Sequence, residues 1–389
     1  MTYSQRAIRV KESTTLAINA KAKAMKAAGQ SIISFTVGEP DFDTPGHIVE
    51  AAKAAMDAGH SKYTDTPGVL PLREAICRKL KGENGLDYTP AQIVVSNGAK
   101  HAISNACAAI INPGDEVIIP APYWLTYPEI VGMYDGVPIY VDTTESSYKI
   151  TAAQVEAAIT PKSKAIFLNT PNNPSGAVYT ESELRAIADV CCKHDLIVLS
   201  DEIYEHLIYE EGLRHISIAS FNEDIRNRTI VINGLSKSFA MTGWRMGYTA
   251  SNADIAKLIG NIQSHQTSNI NAITQLAAIA AIDGDKQPLH DMVSEFAKRR
   301  DYMMKKLTDI GFELNTPPGA FYCFIDISKF CGDNIKDAAD FAAMLVDKAG
   351  VVVVPCADFG CPMHIRLSYA CSMNEITEGC DRIRQVIKP

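Results

Sequence analysis

Short apolar runs and amphipathic stretches alternate along most of this chain. Runs at 93–95, 116–119, 137–141, 165–168, 196–199 and 229–232 are nearly continuous in Ile, Val, Leu and Phe. They predict strands buried on both faces. Helical stretches lie between them. Thr151 with Gln154, and Thr180 with Glu183, have the spacing of a capping box, so a helix is predicted to follow each, the second running to about residue 194. Thr44 before Pro45 predicts a hydroxyl-capped helix running to about residue 58. Further helices are predicted from near Leu70 and over 101–111. Strands alternating with capped helices predict a three-layer α/β/α unit with a mostly parallel sheet, whose ligands bind beyond the carboxyl ends of the strands.

The two ends of the chain read differently. The first 30 residues set Ala and Lys at helical spacing, with Leu16, Ile18 and Met25 as candidate buried positions, and 31–37 has strand character. After Ser251 come an Ala-rich helix at 273–282 and a charged amphipathic helix at 295–307. Thr316-Pro317-Pro318-Gly319 breaks that pattern, and strands at 321–327, 351–354 and 364–369 then alternate with a helix near 336–349. The organisation expected is an N-terminal arm and segment over 1–45 packing with the small domain, a large domain over 46–285, and a smaller α/β domain over 286–389.

Chemistry collects just past the predicted strand ends. Asn173, Asp201, Tyr204 and Lys237 all fall there. The run 231–247 follows a buried strand with Ser236, Lys237 and, eight residues on, Arg245. An amine close to a fixed cation loses its proton more readily, and the neutral amine is the nucleophile. A guanidinium with a hydroxyl matches phosphate oxygens. Gly98, between a strand and a helix, leaves free N–H groups for the same purpose. The chain has neither a G-x-G-x-x-G fingerprint nor a P-loop at these turns. An aldehyde-reactive lysine beside a phosphate clamp suggests pyridoxal phosphate. Trp124, past another strand end, can stack on a planar ring or fill core.

Composition narrows the classes. Residues are 47% hydrophobic and 21% charged over 389 positions, a globular balance. A net charge of -8 gives no basic field for nucleic acid or anionic membrane. No run approaches the ~18 apolar residues of a membrane helix, and the first residues lack a secretory core segment, so a cytoplasmic enzyme is expected. The ten cysteines have no repeated spacing, and neither Cys191-Cys192 with His194 nor Cys356 with Cys361 has the form of a zinc site. No metal is expected. A serine nucleophile elbow is excluded because Ser236 lacks the closing glycine.

Motifs in a fixed order then carry a resemblance. G-E-P-D-F from Gly38, Y-T at Tyr63, N-P-S-G from Asn173, S-D-E-I-Y from Ser200, S-K-S-F-A-M-T-G-W-R-M-G from Ser236 and H-I-R-L-S-Y from His364 together resemble fold-type I, class I aminotransferases over nearly the whole chain. Within them the chain is most similar to the prokaryotic-type aspartate, or aspartate/prephenate, branch. The resemblance implies that Lys237 holds pyridoxal phosphate through a Schiff base and that Asp201 keeps the ring nitrogen protonated. It further implies that Tyr204 and Asn173 bond the phenolic oxygen and that Trp124 stacks on the ring. Ser236, Arg245 and the backbone at Gly98, Ala99 and Lys100 would hold the phosphate, with Tyr63 reaching in from the second subunit of a homodimer. Arg366 would bind the substrate α-carboxylate, assisted by Gly38, Trp124 and Asn173, and Lys100 with Thr15 would bind a distal carboxylate. The expected reaction is ping-pong transfer between aspartate and 2-oxoglutarate, with prephenate as a further acceptor. An alanine or aromatic aminotransferase or a C–S β-lyase on the same fold stays open as the alternative. A DNA-binding regulator built on this fold needs an added domain, and none is expected ahead of Gly38.

Overall fold

The computed structural model describes residues 2–387. Twelve strands run in chain order among the described residues: β1 Ile33–Ser34, β2 Ile93–Asn97, β3 Glu116–Ala121, β4 Val137–Asp142, β5 Ser163–Asn169, β6 Ile197–Asp201, β7 Thr229–Gly234, β8 Met246–Ala250, β9 Tyr322–Asp326, β10 Val351–Val352, β11 Val354–Pro355 and β12 His364–Ser368. The apolar runs read from the sequence lie in or against strands, because continuous Ile, Val and Leu suit a sheet covered on both faces; the run 137–141 is the exception in burial, since β4 lies at the sheet edge and leaves Val137 and Tyr140 exposed.

Seven strands form the central sheet in the order β2-β8-β7-β6-β5-β3-β4. Only β8 runs antiparallel to its neighbours, β2 and β7. The carboxyl ends of β2, β3, β5, β6 and β7 therefore share one edge, and the reversed β8 begins at that same edge. Helices cover both faces and enclose separate apolar cores: one between β2–β3 and helix Ala99–Ile110, another between β5–β6 and helix Glu181–Lys193. The other sheets are the antiparallel β11-β12-β9 and the parallel pair β1-β10, which ties the N-terminal segment to the C-terminal part of the chain.

Local signals account for most helix starts. Both capping boxes form: Gln154 N–H donates to Thr151 Oγ1 at 3.2 Å and Glu183 N–H to Thr180 Oγ1 at 3.4 Å, while the Thr180 amide donates back to Glu183 at 2.7 Å. Thr44 is different. Helix Gly46–Asp57 has no side-chain cap, because the Thr44 hydroxyl donates to the Ala240 carbonyl and accepts from Trp244 Nε1. The charged C-terminal helix is also longer than expected, spanning Gln287–Ile310, since Pro288 in its first turn begins it and Gly311 in the left-handed region ends it. In helix Thr14–Ala27 Ala22 is buried and Ile18 and Met25 are partly buried, whereas Leu16 is exposed and borders the cavity described below. All ten cysteines are free thiols, and among the described residues no helix is long and apolar enough to cross a membrane.

The turn after β6 is fixed from behind. In S-D-E-I-Y-E, Asp201 and Tyr204 face the sheet edge, while Glu202 and Glu205 turn back into the protein. Glu202 accepts from Ser200 at 2.8 Å, Ser217 at 2.6 Å and His215 at 3.0 Å. Glu205 pairs with Lys79 and accepts from Asn84 at 2.8 Å and Asn233 at 2.7 Å. Burial opposes ionisation of Glu205, but Lys79, His206, His215 and Asn84 outweigh it and hold the carboxyl well below its usual range. Glu205→Ala would take from the buried Lys79 ammonium its nearest carboxylate, leaving Glu83 at 3.5 Å and Asn84 at 2.8 Å, and should cost about 1–3 kcal/mol at neutral pH, measured by guanidinium unfolding. Because the folded carboxyl titrates below its unfolded value of about 4.3, its contribution is complete above that pH and should shrink as pH falls below it.

Candidate active site

One cavity of about 240 Å³ opens at the shared edge of the central sheet. Each strand end delivers a different group to it. Beyond β2, Gly98 caps helix Ala99–Ile110 at φ +84°, and the amides of Ala99 and Lys100 lie at the open end of that helix. A Cβ at Gly98 would collide with the Arg245 guanidinium, so the cation sits directly against the helix start. Arg245, at the entrance to β8, donates to the Thr242 carbonyl at 2.8 Å and the Asn97 carbonyl at 3.3 Å and forms no ion pair among the described residues. Ser236 lines the cavity beside it. Trp124, past β3, lies with its ring 5.0 Å from Lys100 Nζ. Partial burial, then Arg245, lowers the Lys100 pKa from its ordinary value.

Asp201 ends β6 and is buried. It accepts from the Tyr127 hydroxyl at 2.6 Å and from the Ile203 amide at 3.2 Å, and no cation pairs with it among the described residues. Burial pushes its pKa up to about 6 despite those hydrogen bonds. Lys237 projects beyond β7, keeps part of its surface open to the cavity, and donates from Nζ to the Gly38 carbonyl at 2.5 Å. Loss of water around it is the first cause of a pKa pushed down to about 8; Arg366 and Arg245 lower it further while Glu39 and Asp201 oppose. The nearby cation inferred from sequence is therefore a secondary contributor, behind burial.

Arg366, on β12, would pass for a surface charge from its sequence position alone. It is 2% exposed. Nη1 donates to Asn173 Oδ1 at 2.9 Å and Nη2 to the Thr36 carbonyl at 3.2 Å, while Nε has no partner and no carboxylate lies against the guanidinium among the described residues. Thr15, also without a partner for its buried hydroxyl, lines the same cavity with Ser13 and Leu16. Two of the residues singled out from sequence do not line the cavity of their own chain: Tyr63, which is 89% exposed, and Gly98, whose amide is not free but donates to the Ser96 carbonyl at 2.8 Å. Asn169, Tyr127 and Tyr322 line the cavity without having been singled out. Tyr127 follows Trp124 by one helical turn, and that spacing is the one local hint of it.

A family model for "Aminotransferase class I and II" matches residues 30–383. The chain belongs to that family. It is 44% identical to the aspartate aminotransferase of Bacillus subtilis, with 100% of this chain and 99% of that one covered, and 43% identical to the aspartate/prephenate aminotransferase of Cereibacter sphaeroides, with 97% and 96% covered. Among solved structures it is similar to the aspartate aminotransferase of Rhizobium meliloti (TM-score 0.95, 38% identity, 100% and 99% covered) and to that of Thermus thermophilus with maleate (TM-score 0.95, 39% identity, 99% and 100% covered). The aminotransferase depends on pyridoxal phosphate, and the cavity fits that group on its own terms. A guanidinium against an open helix end suits a phosphate, a buried carboxylate without a cation suits a protonated ring nitrogen, and an amine with a lowered pKa suits an aldehyde.

The lowered Lys237 pKa has a direct consequence. In protein stripped of cofactor, the rate at which added pyridoxal phosphate regains visible absorbance should rise with pH through a midpoint near 8, as the neutral amine fraction grows. An ordinary exposed lysine would place that midpoint near about 10.4.

Proposed function

We propose that the protein transfers the amino group of L-aspartate to 2-oxoglutarate, giving oxaloacetate and L-glutamate, and also accepts prephenate. The observation that carries this reading is Arg366, a buried guanidinium without a carboxylate partner, facing the same cavity as the Lys237 amine. A buried cation of that kind matches the carboxylate of an amino acid, and a bidentate contact sets its orientation. The names of the relatives support aspartate, that of the Cereibacter enzyme together with prephenate, and maleate in the Thermus structure is itself a dicarboxylate.

Pyridoxal phosphate, when bound, supplies an electrophilic carbon and a ring that withdraws electrons from the substrate. Asp201 keeps a proton on the ring nitrogen, with Tyr127 holding the carboxylate in place. Tyr204 and Asn173 would hydrogen-bond the phenolic oxygen, Trp124 would lie against the ring, and Ser236, Arg245 and the amides of Ala99 and Lys100 would hold the phosphate; the Gly98 amide is already given to the Ser96 carbonyl at 2.8 Å. Lys237 would hold the group through its amine, and the same amine, when free, would carry the proton from the substrate α-carbon. The Gly38 backbone shares the α-carboxylate with Arg366. Both half-reactions use one site, so the kinetics are ping-pong.

Lys100 and Thr15 bind the distal carboxylate in this reading. Among the described residues the two helices Ala253–Ser264 and Ala272–Asp283 offer only Lys257 as a cation, so the charge at the cavity mouth falls to Lys100. Tyr63, exposed on its own chain, completes the phosphate site of a second copy, which makes the active unit a cytoplasmic homodimer. The arm over 1–45, carrying Thr15, closes on the cavity between the large and small domains.

Purified protein with aspartate and 2-oxoglutarate should form glutamate and oxaloacetate in equal amounts. Pyruvate and ammonia without glutamate would indicate a lyase, and alanine or phenylalanine turned over faster than aspartate would reject the dicarboxylate assignment. Lys100→Ala should lower kcat/KM for aspartate by about 10–100-fold, the worth of a charge-assisted hydrogen bond, while changing alanine turnover far less.

A further inference from the structure

Tyr322, the first residue of β9, stands where the functional groups of the cavity meet. It is 1% exposed and lines the cavity. Its hydroxyl lies 2.9 Å from that of Tyr204, and among the described residues neither hydroxyl has another hydrogen bond within the chain. Its ring carries the Arg366 guanidinium at 4.3 Å from the centroid. A Cβ added to Gly38 would come within 3.5 Å of the Tyr322 oxygen, so the hydroxyl faces the backbone whose carbonyl accepts from Lys237.

Two hydroxyls in contact hold two protons for one shared bond. Whichever oxygen accepts keeps its own proton free to point elsewhere. Each hydroxyl has one proton to give, and in the role proposed for Tyr204 that proton goes to the phenolic oxygen. The bond between the two tyrosines then takes the proton of Tyr322, and Tyr204 accepts.

We propose that Tyr322 is a positioning residue: its hydroxyl donates to Tyr204, fixing and strengthening the hydrogen bond that Tyr204 gives to the phenolic oxygen of the cofactor. This rests on the role given to Tyr204 under Proposed function. A hydroxyl that is itself hydrogen-bonded by a donor becomes a better donor in turn. Donation to the ionised phenolic oxygen favours the deprotonated cofactor and so lowers the pH at which its visible band titrates. The charged groups facing the pair are Asp201 at the end of β6, Lys237 beyond β7 and Arg366 on β12, and a change confined to the Tyr322 hydroxyl leaves all three in place.

The test is a spectrophotometric pH titration of the holoenzyme. Tyr322→Phe keeps the ring beneath Arg366 and removes only the hydroxyl; it should raise the midpoint of the visible band by about half a pH unit. In a Tyr204→Phe background the same change should add nothing, because the effect passes through Tyr204. A midpoint that does not move, or moves equally with and without the Tyr204 hydroxyl, overturns the proposal. An unmutated protein with no visible band would instead overturn the proposed function, and this inference with it. A band insensitive to Tyr322 leaves the function standing.

Discussion

A guanidinium in a protein core must be paired or must await a partner, since an uncompensated buried charge costs several kcal/mol. Arg366 has only the neutral acceptors Asn173 and Thr36, and its Nε has none. Lys237 faces the same space. Two cations around one small cavity disfavour each other, and this adds to the loss of water that already weakens the hold of Lys237 on its proton. The same arrangement thus lowers the pKa of an amine and sets beside it a guanidinium whose chemistry matches a carboxylate.

The sheet makes that arrangement possible. Parallel strands deliver their carboxyl ends to one edge, and the single reversed strand, β8, brings Arg245 to it from the opposite direction. Precision comes from behind the site. Glu202 and Glu205 are wholly engaged with Ser200, Ser217, His215, Lys79, Asn84 and Asn233, so the turn carrying Asp201 and Tyr204 has little freedom. One short segment therefore divides the work: Asp201 and Tyr204 face the cavity, and Glu202 and Glu205 anchor the turn.

The sheet was legible because its inner strands are buried, and continuous Ile, Val and Leu admit few other readings; the edge strand β4, with Val137 and Tyr140 exposed, is the exception. The capping boxes at Thr151 and Thr180 were legible because both partners lie within four residues. Thr44 misled for the opposite reason: its hydroxyl is committed to Ala240 and Trp244, some two hundred positions away, which no local pattern reveals. Most residues singled out for the site share the cavity, since strand ends and motif order mark them. Burial of Arg366, the Tyr127 contact to Asp201, and the pairing of Tyr322 with Tyr204 all depend on elements distant in sequence, and beyond the spacing of Tyr127 from Trp124 no local signal marks them. Tyr63 remains outside the cavity of its own chain.

The most direct measurement is chemical. Sodium borohydride reduction of the holoenzyme followed by peptide mapping should fix the cofactor to a single lysine, Lys237, in the peptide running from β7 towards β8. Label on Lys100 or any other lysine, or no label on a protein that carries the visible band, would contradict the account.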